Sequence, residues 1–148
     1  MSEIQIQLIT AEQTWPLRHK VLRPHQELKD CLYPQDHWET TFHVGAVKSN
    51  HVVGIATFHE EAFAKLKAIR PYRLRGMATD FSFHGQGLGR LVLQKGFEEL
   101  TRRGCDLLWC NAREIAFPFY EKLGLLYEGD FFDIPTLGPH KVMYKYLR

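Results

Sequence analysis

The chain has 148 residues and a formal charge of +2 with its histidines neutral, and its lysines, arginines, aspartates and glutamates are mixed along its length. That size is most simply one domain, residues 1–148, with a full hydrophobic core. The charge offers no basic stripe for nucleic acid, Cys31, Cys105 and Cys110 have no metal spacing and fit a reducing compartment, and neither a signal peptide nor a membrane-spanning run is evident. A cytoplasmic protein without nucleic-acid or membrane partners is expected.

Alternation over Ile4 to Ile9 predicts a half-buried strand. A helix follows, with Thr14 as N-cap, Leu17, Val21 and Leu22 on one face and Pro24 as its end. The polar and aromatic stretch from His25 to Thr41 reads as a short helix or loop bordering a substrate site. "TFHVGAV" and "HVVGIATF" predict a hairpin about "KSN", and a loop with helical character around "EEAFAKLKA" comes next. "YRLRGMAT" is the next strand, and a helix is expected from Leu88 to Arg103, with Leu88, Leu91, Val92, Leu93, Phe97 and Leu100 as its apolar face. "DLLWC" is a continuous apolar run, hence a central strand covered on both sides. "NAREIAFPFYEKLG" reads as a turn and then a helix beginning no earlier than about Ala116, with Gly124 as its cap. Two final strands flank "TLGP". Mixed α and β elements in one domain are the outcome, an α+β sandwich.

Between the fourth strand and its helix, Gly85, Gly87 and Gly89 occupy alternate positions in "HGQGLG". Glycine is about 1 kcal/mol worse than alanine inside a helix, so their crowding at a helix start needs a reason. The first N–H groups of a helix lack internal partners and carry the positive end of its dipole, and glycines let an anion reach the backbone. A phosphate cradle is one reading, with Arg90 adding charge; a tight turn with close helix–sheet packing is the other. The third glycine of a dinucleotide fingerprint is replaced by Arg90, and there is no Gly-Lys-Ser/Thr of a nucleoside-triphosphate loop.

"HGQGLG" resembles the Arg/Gln-x-x-Gly-x-Gly/Ala coenzyme A motif of the GNAT superfamily of acetyl-CoA-dependent N-acetyltransferases. "LRGMAT" resembles that family's central strand, and "NAREIAFPFYEKLGL" its Asn-x-x-x-x-Ala-x-x-Phe-Tyr-x-Lys-x-Gly-Phe segment. The three blocks run from Leu74 to Leu125 in the family's order. His84 stands where Arg or Gln is usual, and Leu125 replaces a common Phe. The tail with Gly138, Pro139 and His140 is similar to a subgroup whose last hairpin carries Gly-Pro-His.

The resemblance implies a central, mixed but mostly antiparallel sheet of about six or seven strands flanked by helices. Two central strands would be splayed to hold acetyl-CoA, the acyl donor, with no metal. It implies cofactor contacts from Met77, Ala78, Thr79, His84, Gly85, Gln86, Gly87, Leu88, Gly89, Arg90, Asn111 and Tyr120. Transfer to a primary amine through a tetrahedral intermediate needs a neutral nucleophile, support for the oxyanion and a proton for the thiolate. A backbone N–H near Met77 or Ala78 suits the oxyanion and Tyr120 the acid, its competing role being a core aromatic with a backbone-bonded hydroxyl. Glu60 or Glu61 is the first choice of base; Asp36, Asp80 and His140 are also open, and His140 either faces the acceptor or caps its turn. For Arg18 and Arg23 two roles are open, one of them binding an acceptor carboxylate or, more simply, surface solvation of both. No H-x-x-x-H or H-E-x-x-H spacing supports zinc.

A small-molecule or peptide amine is the implied acceptor, with aminoglycoside, polyamine, amino acid and protein lysine all open. A homodimer through an edge strand is also open. Two alternatives remain: a non-catalytic CoA sensor, and an enzyme of the same fold that moves another acyl group or modifies RNA.

Overall fold

The computed structural model describes residues 3–147, so Met1, Ser2 and Arg148 at the ends of the expected domain lie outside the described residues. One seven-stranded sheet runs through the molecule in the order β1-β2-β3-β4-β5-β7-β6. The strands are β1 (Gln5–Ile9), β2 (Phe42–Lys48), β3 (His51–Glu60), β4 (Pro71–Thr79), β5 (Leu107–Arg113), β6 (Leu126–Ile134) and β7 (Gly138–Tyr146). Every neighbouring pair is antiparallel except β4 and β5. The long helix α2 (Leu88–Arg102) makes the crossover between those two, as a parallel pair requires.

Strand alternation assigns the two faces of the sheet. Ala56 and Phe58 point into the main core with Val92, Leu93 and Leu100 of α2. Ile55, their neighbour, packs with Leu17 of α1 (Ala11–Leu17) on the opposite side. Mid-helix Gly96 is explained by this packing: a Cβ there would lie 2.2 Å from Phe58 Cζ. Phe58 is itself stacked on Phe42, with ring centroids 4.8 Å apart.

Several local expectations shift. The first helix starts earlier, capped by Thr10, whose hydroxyl accepts from Gln13 N while the Gln13 side chain accepts from Thr10 N. Thr14 is buried inside the helix and donates its hydroxyl proton to Ala11 O. After Pro16, which has no N–H to give, the chain widens into a π-helical turn, Arg18–Leu22, closed by Arg23 N donating to Arg18 O at 3.1 Å. Residues 61–70 form turns and a Phe63–Leu66 bridge rather than a helix, because β3 persists through Glu60 to pair with Tyr72. β5 also runs on, through Asn111 to Arg113, as β7 pairs with it along its whole length. Leu91 turns to solvent while Gly96 takes the buried position. After a short 3-10 turn, α3 (Phe117–Lys122) carries Pro118 in its first turn, and Gly124 follows at φ +91°.

Candidate active site

The site begins where the sheet opens. β4 and β5 pair only from Pro71 to Arg73 and Leu107 to Trp109; beyond that no ladder joins them. On the other side of β4, the register against β3 jumps from Arg75–Thr57 to Ala78–Ile55, leaving one extra residue in β4. Gly76 sits in this bulge at φ +62°. A bulge bends and twists its strand, which here turns β4 away from β5. A side chain at 76 would meet Arg18 Nε and the Tyr33 hydroxyl, each at 3.1 Å.

At the far end of β4, Gly85 and Gly87 adopt φ values of +81° and +75°, and a Cβ on either would meet nothing within 4 Å. Gly87 is the N-cap of α2, and the first bond along the helix runs from Leu91 N to Gly87 O. The amides of Leu88, Gly89 and Arg90 precede that bond, so they belong to the helix end that lacks internal acceptors. Open space over left-handed glycines at the start of a fifteen-residue helix fits a pyrophosphate. Gly89 serves packing instead: a Cβ there would lie 3.3 Å from the Phe119 ring. His84 turns back, Nε2–H donating to Thr79 O at 3.0 Å, and its ring meets Phe81 edge-on. Gln86 and Arg90 are exposed at the loop.

Between bulge and opening lies a cavity of about 480 Å³. Met77, Asn111, Tyr120 and His140 line it, together with Cys110, whose thiol is pushed by burial up to about 12 and is inert. Tyr120 belongs to the core on the α2 side and reaches the cavity through the gap between the strands. Among the described residues its hydroxyl has no backbone partner; it donates weakly to Met77 Sδ at 3.9 Å. Burial, and next the nearby Cys110, hold its pKa well above that of a free phenol, so the proton stays on oxygen. Asn111 and His140 come from the opposite, α1-facing side, where β5 and β7 pair Arg113 with His140. His140 is buried and its Nδ1–H donates to Gly138 O at 2.8 Å. It therefore both ties its turn and lines the cavity, and in the neutral ring Nε2 carries the lone pair.

The carboxylates expected as base do not line this cavity. Glu60 pairs with Tyr72 at the closed end of the β4–β5 ladder. Glu61, just beyond it, lies 3.4 Å from Arg73 Nη1, and its carbonyl accepts from Trp109 Nε1. Asp80 caps the 3-10 turn Phe81–Phe83 and meets Lys20. Asp36 is consumed in the interior by Arg18, with both carboxylate oxygens bonded at 2.7 and 2.8 Å. Burial by itself would raise Asp36; the hydrogen bonds from Arg18 and Trp15 overcome this and hold it below the usual range.

Arg18 is thus not a surface residue: it is 1% exposed, and it also donates to Cys31 O and Thr57 Oγ1. Its guanidinium stacks 3.8 Å from the Tyr33 ring centroid, and Arg75 stacks on the same ring at 4.1 Å. This network fastens the 31–36 loop over the Gly76 bulge. A sequence signal for it existed, because Arg18 follows Ala11 and Thr14 at the helical spacing of the buried face. Arg23, by contrast, does reach the cavity wall. Arg73, Arg75, Arg113 and Gly76 also line the cavity and were not singled out from the sequence.

Known proteins share this family's sequence pattern and this fold. The profile described as "Acetyltransferase (GNAT) family" matches residues 8–125. The chain belongs to the GNAT acetyltransferase family. It is 39% identical over 145 residues to the uncharacterized N-acetyltransferase YitI of Bacillus subtilis (strain 168), covering 98% of this chain and 97% of that one. Two solved structures share the fold at low identity. FeeM, an N-acyl amino acid synthase from uncultured soil microbes, has a TM-score of 0.81 at 9% identity over 99% of this GNAT chain and 92% of its own. An aminoglycoside 6'-N-acetyltransferase complexed with coenzyme A has a TM-score of 0.72 at 16% identity, covering 97% of each chain. The protein is an acyltransferase, with the single seven-stranded domain of its family. Among the described residues no helix is long and apolar enough to cross a membrane.

Proposed function

We propose that this GNAT protein transfers the acetyl group of acetyl-CoA to a primary amine of a small molecule or peptide, without a metal. The observation that carries this reading is the parting of β4 from β5, with the glycine-led start of α2 at one end and the Tyr120 hydroxyl at the other. Acetyl-CoA supplies an activated thioester carbonyl and a thiol leaving group. Gly85, Gln86, Gly87 and the amides of Leu88, Gly89 and Arg90 hold the pyrophosphate, with His84 bracing the loop through Thr79. The unpaired edge of β4 at Met77, Ala78 and Thr79, with Asn111 opposite, binds the pantetheine arm.

At the bulge, a backbone N–H of Met77 or Ala78 stabilises the developing oxyanion. His140 Nε2 takes the proton from the attacking amine, in place of Glu60 or Glu61, because its ring lines the cavity with Asn111 and those carboxylates do not. As the new C–N bond forms and the C–S bond breaks, Tyr120 gives its proton to the sulfur and is reprotonated from solvent. The products are an amide and free thiol.

Calorimetric titration with acetyl-CoA, with NADH as control ligand, tests the donor. Micromolar acetyl-CoA binding without NADH heat is expected, followed by thiol release with an amine panel. Absence of acetyl-CoA binding overturns the reading. Acyl-CoAs of increasing length in the same thiol assay define the transferred group.

A further inference from the structure

The wall of the cavity is cationic. Arg23, Arg73, Arg75 and Arg113 all line it, and no aspartate or glutamate does. Strand parity explains three of them: Tyr72 and Leu74 face the α2 core, so Arg73 and Arg75 face the other way, as Arg113 does beside buried Ala112. All three therefore point to the side from which His140 enters.

Little within the described residues offsets these charges. Glu61 lies against Arg73 at 3.4 Å, a long contact, and Arg73 Nε is buried without a hydrogen-bond partner. Arg23 donates to Gln26 Oε1. Arg75 has one polar contact, to Gln35 Oε1 at 3.5 Å, and otherwise rests on the Tyr33 ring. Burial first, and then the like charge of Arg73, lower its pKa, as expected for guanidinium groups crowded out of water. None of the eight ion pairs among the described residues involves Arg75 or Arg113. Half-buried guanidinium groups are normally matched by carboxylate or phosphate, because a buried unpaired charge is costly.

We infer that the acceptor is an amine that carries a carboxylate, such as an amino acid or a peptide C-terminal residue, and that Arg75 and Arg113 with Arg73 and Arg23 bind that group. The inference rests on the acetyl-transfer reading of the same cavity. A polyamine or aminoglycoside would add positive charge to this wall; a carboxylate-bearing amine neutralises it. The same field disfavours the ammonium form of the amine, so the arginines also help present a neutral nucleophile to His140.

The test uses coenzyme A thioethers whose sulfur carries –CH₂–CO–NH– joined to glycine or to glutamate, each prepared as the free acid and as the amide. These probes tether the carboxylate close to the thiol. Calorimetry on the full chain should show at least one acid binding about tenfold or more tighter than its amide. Arg75→Gln and Arg113→Gln should each cut that ratio to below about threefold while free coenzyme A binds as before. If free coenzyme A binds but neither acid outbinds its amide, the carboxylate inference is overturned and the acetyl-transfer reading survives. If free coenzyme A does not bind, the reading beneath the inference fails and the inference falls with it.

Discussion

The Tyr120 hydroxyl, rooted in the α2-side core, meets Met77 Sδ at 3.9 Å across the opening beside the β4 bulge. A thioether is a weak acceptor, so this contact holds the phenol in place without engaging its proton strongly. A phenol kept protonated by burial and left with so weak a partner is suited to donate to a leaving thiolate. Tyr120→Phe removes the proton and keeps the ring. Turnover is expected to fall by about 100-fold, within the usual range for a lost general acid, with acetyl-CoA binding retained. Unchanged turnover would remove Tyr120 from the chemistry.

Two glycines separate ligand binding from folding. Gly87 has open space above it but a φ of +75°, whereas Gly96 faces the Phe58 ring inside the core. Gly87→Ala costs about 1–2 kcal/mol of conformational strain and is expected to weaken acetyl-CoA binding beyond any loss of stability. Gly96→Ala is expected to destabilise by about 1–3 kcal/mol through overpacking, with affinity unchanged in the fraction that folds. Urea unfolding and calorimetry on both variants read the contrast. Equal affinity loss in the two would refute the phosphate cradle.

Arg18 and Asp36 form a bidentate pair at 1% side-chain exposure each. Removing one partner leaves the other charged in the interior, so Asp36→Ala should cost about 3–5 kcal/mol. The loop that presents Tyr33 depends on this pair, since Asp36 also accepts from Tyr33 N and Trp15 Nε1. A variant within about 0.5 kcal/mol of the parent in urea would show that the pair is not structural.

His59 is fully buried behind Trp38, and both ring nitrogens lack hydrogen-bond partners. Burial lowers its pKa to about 4, the backbone at Glu60 and the charge of Glu61 opposing and Arg75 and Arg73 assisting. The folded pKa lies below the unfolded value of 6.5, so the unfolded chain binds more protons between them. Stability is therefore fully present above about pH 6.5 and falls by up to about 3 kcal/mol as pH drops toward 4. His59→Phe should flatten that part of the urea midpoint against pH profile. An unchanged slope would assign the acid sensitivity elsewhere, His43 being the other buried imidazole with a lowered pKa.

Periodicity and short motifs were enough for the strand and helix order, the crossover helix from Leu88, the glycine loop and the Tyr120 segment, because each depends on neighbours within a turn or a strand. They also carried the family. They misplaced the first helix cap, where the Thr10–Gln13 box competes with Thr14, and they missed the long reach of β3 and β5, which partner strands extend. Only the tertiary structure decided that Glu60 and Glu61 stand at the closed end of the β4–β5 ladder, that Arg18 is buried against Asp36, and that His140 shares a wall with four arginines. Those facts depend on residues far apart in the chain meeting across a bulge and a strand gap, and on burial, which sets whether a charged side chain is solvated, paired or left to await a ligand.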